Sequence, residues 1–174
     1  MKILDLEFKP YKKEEEIKHA VKKLGKKLTR DYENRDPLFL VILNGAFIFA
    51  ADLFRELKIP AEVSFIKLSS YPEISSSGHV RELIGLNHTI FNRNIIILED
   101  IIDTGLTLQH TLEALQDLGA ASIEVVALFI KPESFKKKTD IRYVGFEIPN
   151  EFIVGYGLDY QGFGRNLKDV FIKK

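Results

Sequence analysis

The chain has no cysteine. That excludes disulfide scaffolds, thiolate zinc sites and cysteine nucleophiles together. It also has no net charge, with 25 Lys plus Arg set against 25 Asp plus Glu over 174 residues. A neutral balance disfavours a general binder of nucleic acid or of a membrane surface. No apolar run reaches membrane-spanning length, and residues 1–7 lack the apolar stretch of a secretory signal. The expected address is therefore the cytoplasm. The four histidines, His19, His79, His88 and His110, show no metal-ligand spacing. Three widespread motifs are missing as well. Without Gly-x-x-x-x-Gly-Lys-Ser/Thr a P-loop nucleotide hydrolase is disfavoured. Without Gly-x-Gly-x-x-Gly after the first strand so is dinucleotide binding. Without Gly-x-Ser-x-Gly there is no nucleophile elbow. What is left is an ordinary globular composition, 45% hydrophobic and 29% charged, in a chain sized for one domain with a sizeable core.

What is present centres on residues 95–107. The apolar run Ile95-Ile96-Ile97-Leu98 reads as a strand buried on both faces, and it ends in Glu99 and Asp100. Asp103 follows, and then the small polar turn Thr104-Gly105-Leu106-Thr107 opens a helix. Backbone N–H groups, two hydroxyls and a helix N-terminus are the parts of a phosphate cradle. A phosphate calls for positive charge, yet three carboxylates stand beside it. The ligand must therefore also bring hydroxyls or a metal ion, which points to a sugar phosphate.

The rest of the chain alternates between the periods of helix and strand. Ile17, Val21, Leu24 and Leu28 recur at helical spacing and predict a helix over residues 10–34. Its lysines read as a solvated face, because Glu14, Glu15 and Glu16 interrupt them and no aromatics interleave. A buried strand at 38–43 runs into Asn44-Gly45-Ala46 and a helix at 47–57. Residues 61–68 form the next strand, and the serine-rich segment 69–80 reads as either a solvated hairpin tip or an active-site lid. A short strand returns at 80–84. The helix after the phosphate turn carries Leu108, Leu112, Leu115 and Leu118 on one face and stops at Gly119. Residues 123–130 form a strand ending in Lys131-Pro132. Two short β-type pieces lie at 143–149 and 152–160, and a last one within 165–172. Strands alternating with helices predict an α/β domain with a mostly parallel sheet.

Glu99, Asp100, Asp103, Lys131 and Asp159 all fall at predicted strand ends, which share one rim in a parallel sheet. Any one of them alone reads as a helix cap or a surface charge, Asp103 above all. Five together point to a site, and magnesium suits oxygen ligands beside a phosphorylated substrate.

Residues 98–107 resemble the phosphoribosyl-diphosphate motif of type I phosphoribosyltransferases. Leu43-Asn44-Gly45-Ala46-Phe47 with Ala51-Asp52-Leu53 is similar to the diphosphate loop of the hypoxanthine-guanine branch of that family. Ser70-Tyr71 with Ser77-Gly78 resembles its catalytic loop, and residues 144–149 and 152–160 resemble its purine-binding hood. The resemblance covers roughly residues 38–172. It implies a mostly parallel twisted sheet flanked by helices, with a core at about 36–145. A small hood would come from the N-terminal residues and about 146–174. It also implies magnesium, a homodimer or homotetramer, and purine salvage without nucleic-acid or membrane partners. Carried over residue by residue, Glu99 and Asp100 hold the ribose hydroxyls, directly or through a metal, and Asp103 is the general base near purine N7. Residues Thr104, Gly105, Leu106 and Thr107 cradle the 5′-phosphate, with Asn44 and Gly45 in the diphosphate loop. Lys131 donates to the 6-oxo group, Phe152 stacks on the base, and the Ile153 backbone reads its N1–C2 side. Asp159 helps hold magnesium, Arg165 touches the diphosphate, and the loop at Ser70-Tyr71 closes over the site. Asn44 and Leu106 stand where the family commonly has basic residues, and the Leu43-Asn44 peptide is often cis in that loop. A sensor that binds nucleic acid, or a phospho-receiver module, are the competing classes. The first needs a basic face, and the second gives residues 152–159 no task.

Overall fold

A computed structural model describes residues 1–69, 81–84, 88–135 and 140–174. The expected lid, with Ser70 and Tyr71, lies outside them. Ten strands and three helices follow one another among the described residues. In order they are β1 (Lys2–Ile3), β2 (Leu6–Lys12), α1 (Glu14–Asp31), β3 (Leu38–Leu43), α2 (Phe47–Glu56), β4 (Glu62–Ser69), β5 (Arg81–Ile84), β6 (Asn94–Ile102), α3 (Leu106–Asp117), β7 (Ser122–Ile130), β8 (Tyr143–Glu147), β9 (Ile153–Val154) and β10 (Val170–Lys173).

The larger sheet has the order β5-β4-β3-β6-β7-β8. From β4 to β8 its strands run parallel, and β5 is antiparallel at the edge. The continuous apolar runs of β3, β6 and β7 fill the centre, as strands covered on both faces must. Alternation along each strand divides them between two cores. Phe39, Val41, Ile96, Leu98, Val126 and Leu128 meet Ile17, Val21, Leu24 and Leu28 of α1 and Phe49 and Leu53 of α2. On the other face Leu38, Leu40, Ile95, Ile97 and Ala127 meet Leu108 and Leu115 of α3. The smaller antiparallel sheet has the order β1-β2-β10-β9. Its Ile153, Val170 and Ile172 join the first core, so this N- and C-terminal hood sits directly on the α1–α2 layer.

Two sequence expectations shift. Residues 10–12 belong to β2 and α1 starts at Glu14. Pro10 lies opposite Phe171 in the hood sheet, and the Glu14 N–H donates to Asp169 Oδ1 at 2.9 Å. The chain's far end thus supplies both the strand partner and the helix cap. In α3 the buried positions are Leu108, Thr111 and Leu115, whereas Leu118 lies beyond the last turn at 50% exposure. Gly119 follows with φ 76°, the left-handed conformation expected of a residue that stops a helix.

Candidate active site

The sequence ended the central strand at Glu99 and Asp100. Instead β6 continues to Ile102, because Ile101 and Ile102 pair with Phe129 and Ile130 of β7. The two carboxylates therefore sit within β6 rather than at its end. Glu99 is only 7% exposed. Burial, with the Asp100 charge adding to it, pushes its carboxyl well above the ordinary range. Asp100 is half-buried and lies against Gly45, where a Cβ would overlap its carboxylate. Burial raises it to about 6, opposed by backbone N–H groups and by the Arg165 charge, while the Asp159 charge raises it further.

Asp103 follows β6 directly and is not the helix cap; Gly105 is, at φ 77°. Thr104 Oγ1 accepts from the Leu106 N–H at 3.5 Å, and the first turn of α3 carries no acidic residue. The N–H groups of Thr107 and Leu108 stay available to an anion. Glu99, Asp103 and Thr104 to Thr107 line one cleft of about 260 Å³. Leu106 is 56% exposed and Asn44 is exposed as well, so neither brings a cation to this rim.

Lys131 leaves the end of β7 with 7% exposure, and its Nζ donates to Asp103 Oδ2 at 2.7 Å. These groups come together because β6 and β7 are neighbours whose ends coincide, with Ile102 opposite Ile130. A buried ammonium needs such a partner.

Asp159 is not at a sheet-strand end. It lies in the hood turn that follows β9 and pairs with Arg165 at 2.5 Å. Arg165 also donates to the Gly157 carbonyl at 2.7 Å. Gly157 in turn lies against the Gly45 carbonyl, where any Cβ would collide. The Leu43-Asn44 peptide just before Gly45 is cis, as the loop's resemblance implied. The expected diphosphate residues Asn44, Gly45 and Arg165 are therefore linked by contact to Asp100 and Asp159, two of the residues expected at the metal.

Ile153 buries its side chain in the core, which leaves only its backbone for a ligand. Phe152 is 39% exposed and is braced by Phe8 at 6.2 Å and Tyr160 at 5.8 Å between ring centres. Tyr160 donates to Asp5 Oδ1 at 2.8 Å. Sequence reasoning passed over Asp5 and Phe8, and also Tyr156, whose hydroxyl donates to Asp52 Oδ2 at 2.7 Å. The Gly-x-Gly spacing around Tyr156 was the available signal.

A family profile described as phosphoribosyl transferase domain matches residues 9–161. The hypoxanthine-guanine phosphoribosyltransferase of Bacillus subtilis is 42% identical over 162 residues, 92% of this chain and 90% of that one. The enzyme of that name from Dictyostelium discoideum is 41% identical over 152 residues, 84% of each chain. A crystal structure of a hypoxanthine-guanine phosphoribosyltransferase from Bacillus anthracis superposes with a TM-score of 0.89 at 36% identity, covering 97% of this chain and 99% of that one. Likeness of that breadth in sequence and fold leaves one placement: the chain belongs to the hypoxanthine-guanine phosphoribosyltransferase family.

Proposed function

We propose that the chain transfers the phosphoribosyl group of phosphoribosyl diphosphate to hypoxanthine and to guanine, giving the 5′-mononucleotide and diphosphate. The observation that carries this reading is the pairing of buried Lys131 with Asp103 at the cleft formed by the phosphate turn. A 6-oxopurine offers each of them a partner. Lys131 donates to O6, and Asp103 accepts the proton the base must lose from its imidazole ring. Adenine would set its amino group against Lys131, donor facing donor.

The turn from Thr104 to Thr107 holds the 5′-phosphate with backbone N–H groups and hydroxyls. As the bond from ribose C1 to the diphosphate oxygen breaks, its electron pair leaves with the diphosphate and C1 becomes cationic. The purine nitrogen then forms the new bond to C1. Glu99 and Asp100 lie beneath the ribose and meet its hydroxyls. Burial raises their proton affinity in the free protein, so a developing cation beside them stabilises their charged forms and is stabilised in return. Phe152 stacks on the base, the Ile153 backbone reads its N1–C2 side, and Asn44, Gly45 and Arg165 meet the diphosphate. The loop at Ser70-Tyr71 excludes water that would capture the cation.

Magnesium fits the donor set. Among the described residues no three His, Asp or Glu side chains form a cage that holds an ion alone. Asp100 and Asp159 nonetheless lie close enough for one charge to raise the other's proton affinity. Hard carboxylate oxygens completed by substrate oxygens are this ion's usual setting, and Glu99 would reach it through the ribose. When bound, it neutralises charge on the leaving diphosphate.

The test supplies purified protein with phosphoribosyl diphosphate, magnesium and each of hypoxanthine, guanine, xanthine and adenine. Nucleotide is expected from hypoxanthine and guanine; product from none of the four overturns the reading. Asp103→Asn should lower kcat by on the order of 10²-fold, and full turnover in that variant removes its role as base. The enzyme is read as acting in the cytoplasm as a homodimer or homotetramer. Val63 and Phe65, on one face of β4 at 38% and 41% exposure, offer an apolar surface to a second copy. A monomer by sedimentation equilibrium would exclude that assembly. No observation favours the nucleic-acid sensor.

A further inference from the structure

Three consecutive residues of the hood turn, Gly155, Tyr156 and Gly157, have φ of 111°, 50° and 98°. Two of them are glycine for a visible reason. A Cβ at Gly155 would collide with the Asp169 carbonyl, and one at Gly157 with the Gly45 carbonyl. Tyr156 has no such excuse. Its backbone is as left-handed as theirs, a conformation that costs free energy for a residue with a side chain. A glycine would meet the backbone's demand better, so something must be gained from the side chain. The Tyr156 ring is 4% exposed and its hydroxyl donates to Asp52 Oδ2 at 2.7 Å.

Asp52 lies in the middle of α2, whose first residue is only two positions after Gly45. The hood turn is therefore fastened along α2 at two points. Gly157 rests on Gly45, with Ile48 next in contact, and Tyr156 is bonded to Asp52 just over a helical turn further on. The same turn is held from behind by the Tyr156 N–H to the Leu167 carbonyl at 2.8 Å and the Gly157 N–H to the Arg165 carbonyl at 3.0 Å. Gly45 in turn lies against the Asp100 carboxylate. Without the hydroxyl bond the turn is still held from behind, but its polar tie to α2 is gone, and Gly157 rests on Gly45 by contact alone.

We infer that Tyr156 and Asp52 are positioning residues that lock the hood turn onto the Gly45 loop and thereby set the diphosphate end of the site. This rests on the reading given under Proposed function. It predicts that Tyr156→Phe raises the KM for phosphoribosyl diphosphate about tenfold, the loss expected for one hydrogen bond to a charged acceptor. The KM for hypoxanthine and kcat should change less than about twofold, within the scatter of such comparisons.

Asp52→Leu should reproduce that split, and Asp52→Asn, which keeps an acceptor oxygen for the hydroxyl, should restore most of the lost affinity. The double variant Tyr156→Phe with Asp52→Leu should be no worse than either single one, since both remove the same bond. Steady-state kinetics with each substrate varied in turn, beside thermal melts, read all of this. Lower Tm with both KM values unchanged, or both raised equally, assigns the pair to folding alone and overturns the inference. If Tyr156→Phe does not fold, the Asp52 variants decide it by the same split. A wild-type protein that forms no nucleotide fails the underlying reading instead, whereas an active wild type with no split fails only this one.

Discussion

Lys131 carries one of the few buried charges among the described residues, and its neighbour Asp103 answers it at 2.7 Å. Both were legible in the sequence as polar residues at the point where an apolar run stops. Their bond was not, because 28 residues separate them and only the pairing of β6 with β7 brings them together. Lys131→Ala should therefore do two things. It removes the donor to a 6-oxo group, and it leaves Asp103 without its cation. The hypoxanthine-to-adenine ratio of kcat/KM should fall by roughly tenfold or more, the worth of a charge-assisted hydrogen bond. Equal losses with both bases would take base selection away from Lys131. Glu99 and Asp100 were also legible, but their placement inside β6 was not. A carboxylate in mid-strand looks in sequence like a strand's end, since nothing local announces that the ladder continues through Ile102.

At the scale of elements, strands β3, β6 and β7 could be read directly from their apolar runs, and α1 to α3 from their periodicity. Of the hood strands, β9 and β10 were legible as short β-type pieces, but β1 and β2 were not. The sequence of β2, Leu-Glu-Phe-Lys-Pro-Tyr-Lys, contains a proline and two lysines, and its partner β10 lies some 160 residues away. Such a strand is stabilised by its partner rather than by its own propensity. Its missing recognition hid a connection to the site. Asp5, in the link between β1 and β2, receives the Tyr160 hydroxyl, and Tyr160 packs edge-on against Phe152. The N-terminal hairpin thus braces the ring expected to stack on the base. Tyr160→Phe should raise the KM for hypoxanthine by roughly threefold, as loss of one exposed hydrogen bond warrants. The KM for phosphoribosyl diphosphate should hold. Equal KM values for hypoxanthine in the two proteins would show that the brace does not reach the base.

For the whole molecule, an α/β sheet was predictable from alternation alone, but the order of its strands and the joining of layers depend on distant contacts. Asp31 at the end of α1 is one of them. Its carboxylate accepts from Arg30 at 2.8 Å, from Arg142 at 2.9 Å and from the Tyr143 hydroxyl at 3.0 Å. It thereby ties α1 to the edge strand β8. The Arg30 hydrogen bond, more than the opposing burial, lowers the Asp31 carboxyl below its usual 3.8, with Tyr143 and Arg142 assisting. Because the folded value is depressed, this stabilisation is fully present above pH 3.8 and is lost as pH falls through the lower folded value. Asp31→Asn should therefore lower Tm at pH 7 by roughly 2–6 °C, for about 1–2 kcal/mol. The gap to wild type should narrow once the pH drops below the ordinary carboxylate range. Melts at neutral and strongly acidic pH check it, and a constant gap across both would assign the loss to shape rather than charge.

The order of the hood sheet has a consequence for how the enzyme is made. The final strand, β10, is not at its edge; it lies between β2 and β9 and joins them. During translation the parallel sheet has all its strands once residue 147 has been added. The hood strand β2, paired on one side with β1, then waits without β10 on its other side, and α1 waits without the Asp169 cap, until residues 169–173 leave the ribosome. Closing so long a loop is the entropically expensive and slow step of such a topology. A nascent chain can thus assemble its phosphate cradle early, while the wall that receives the base is completed only after the last strand is free.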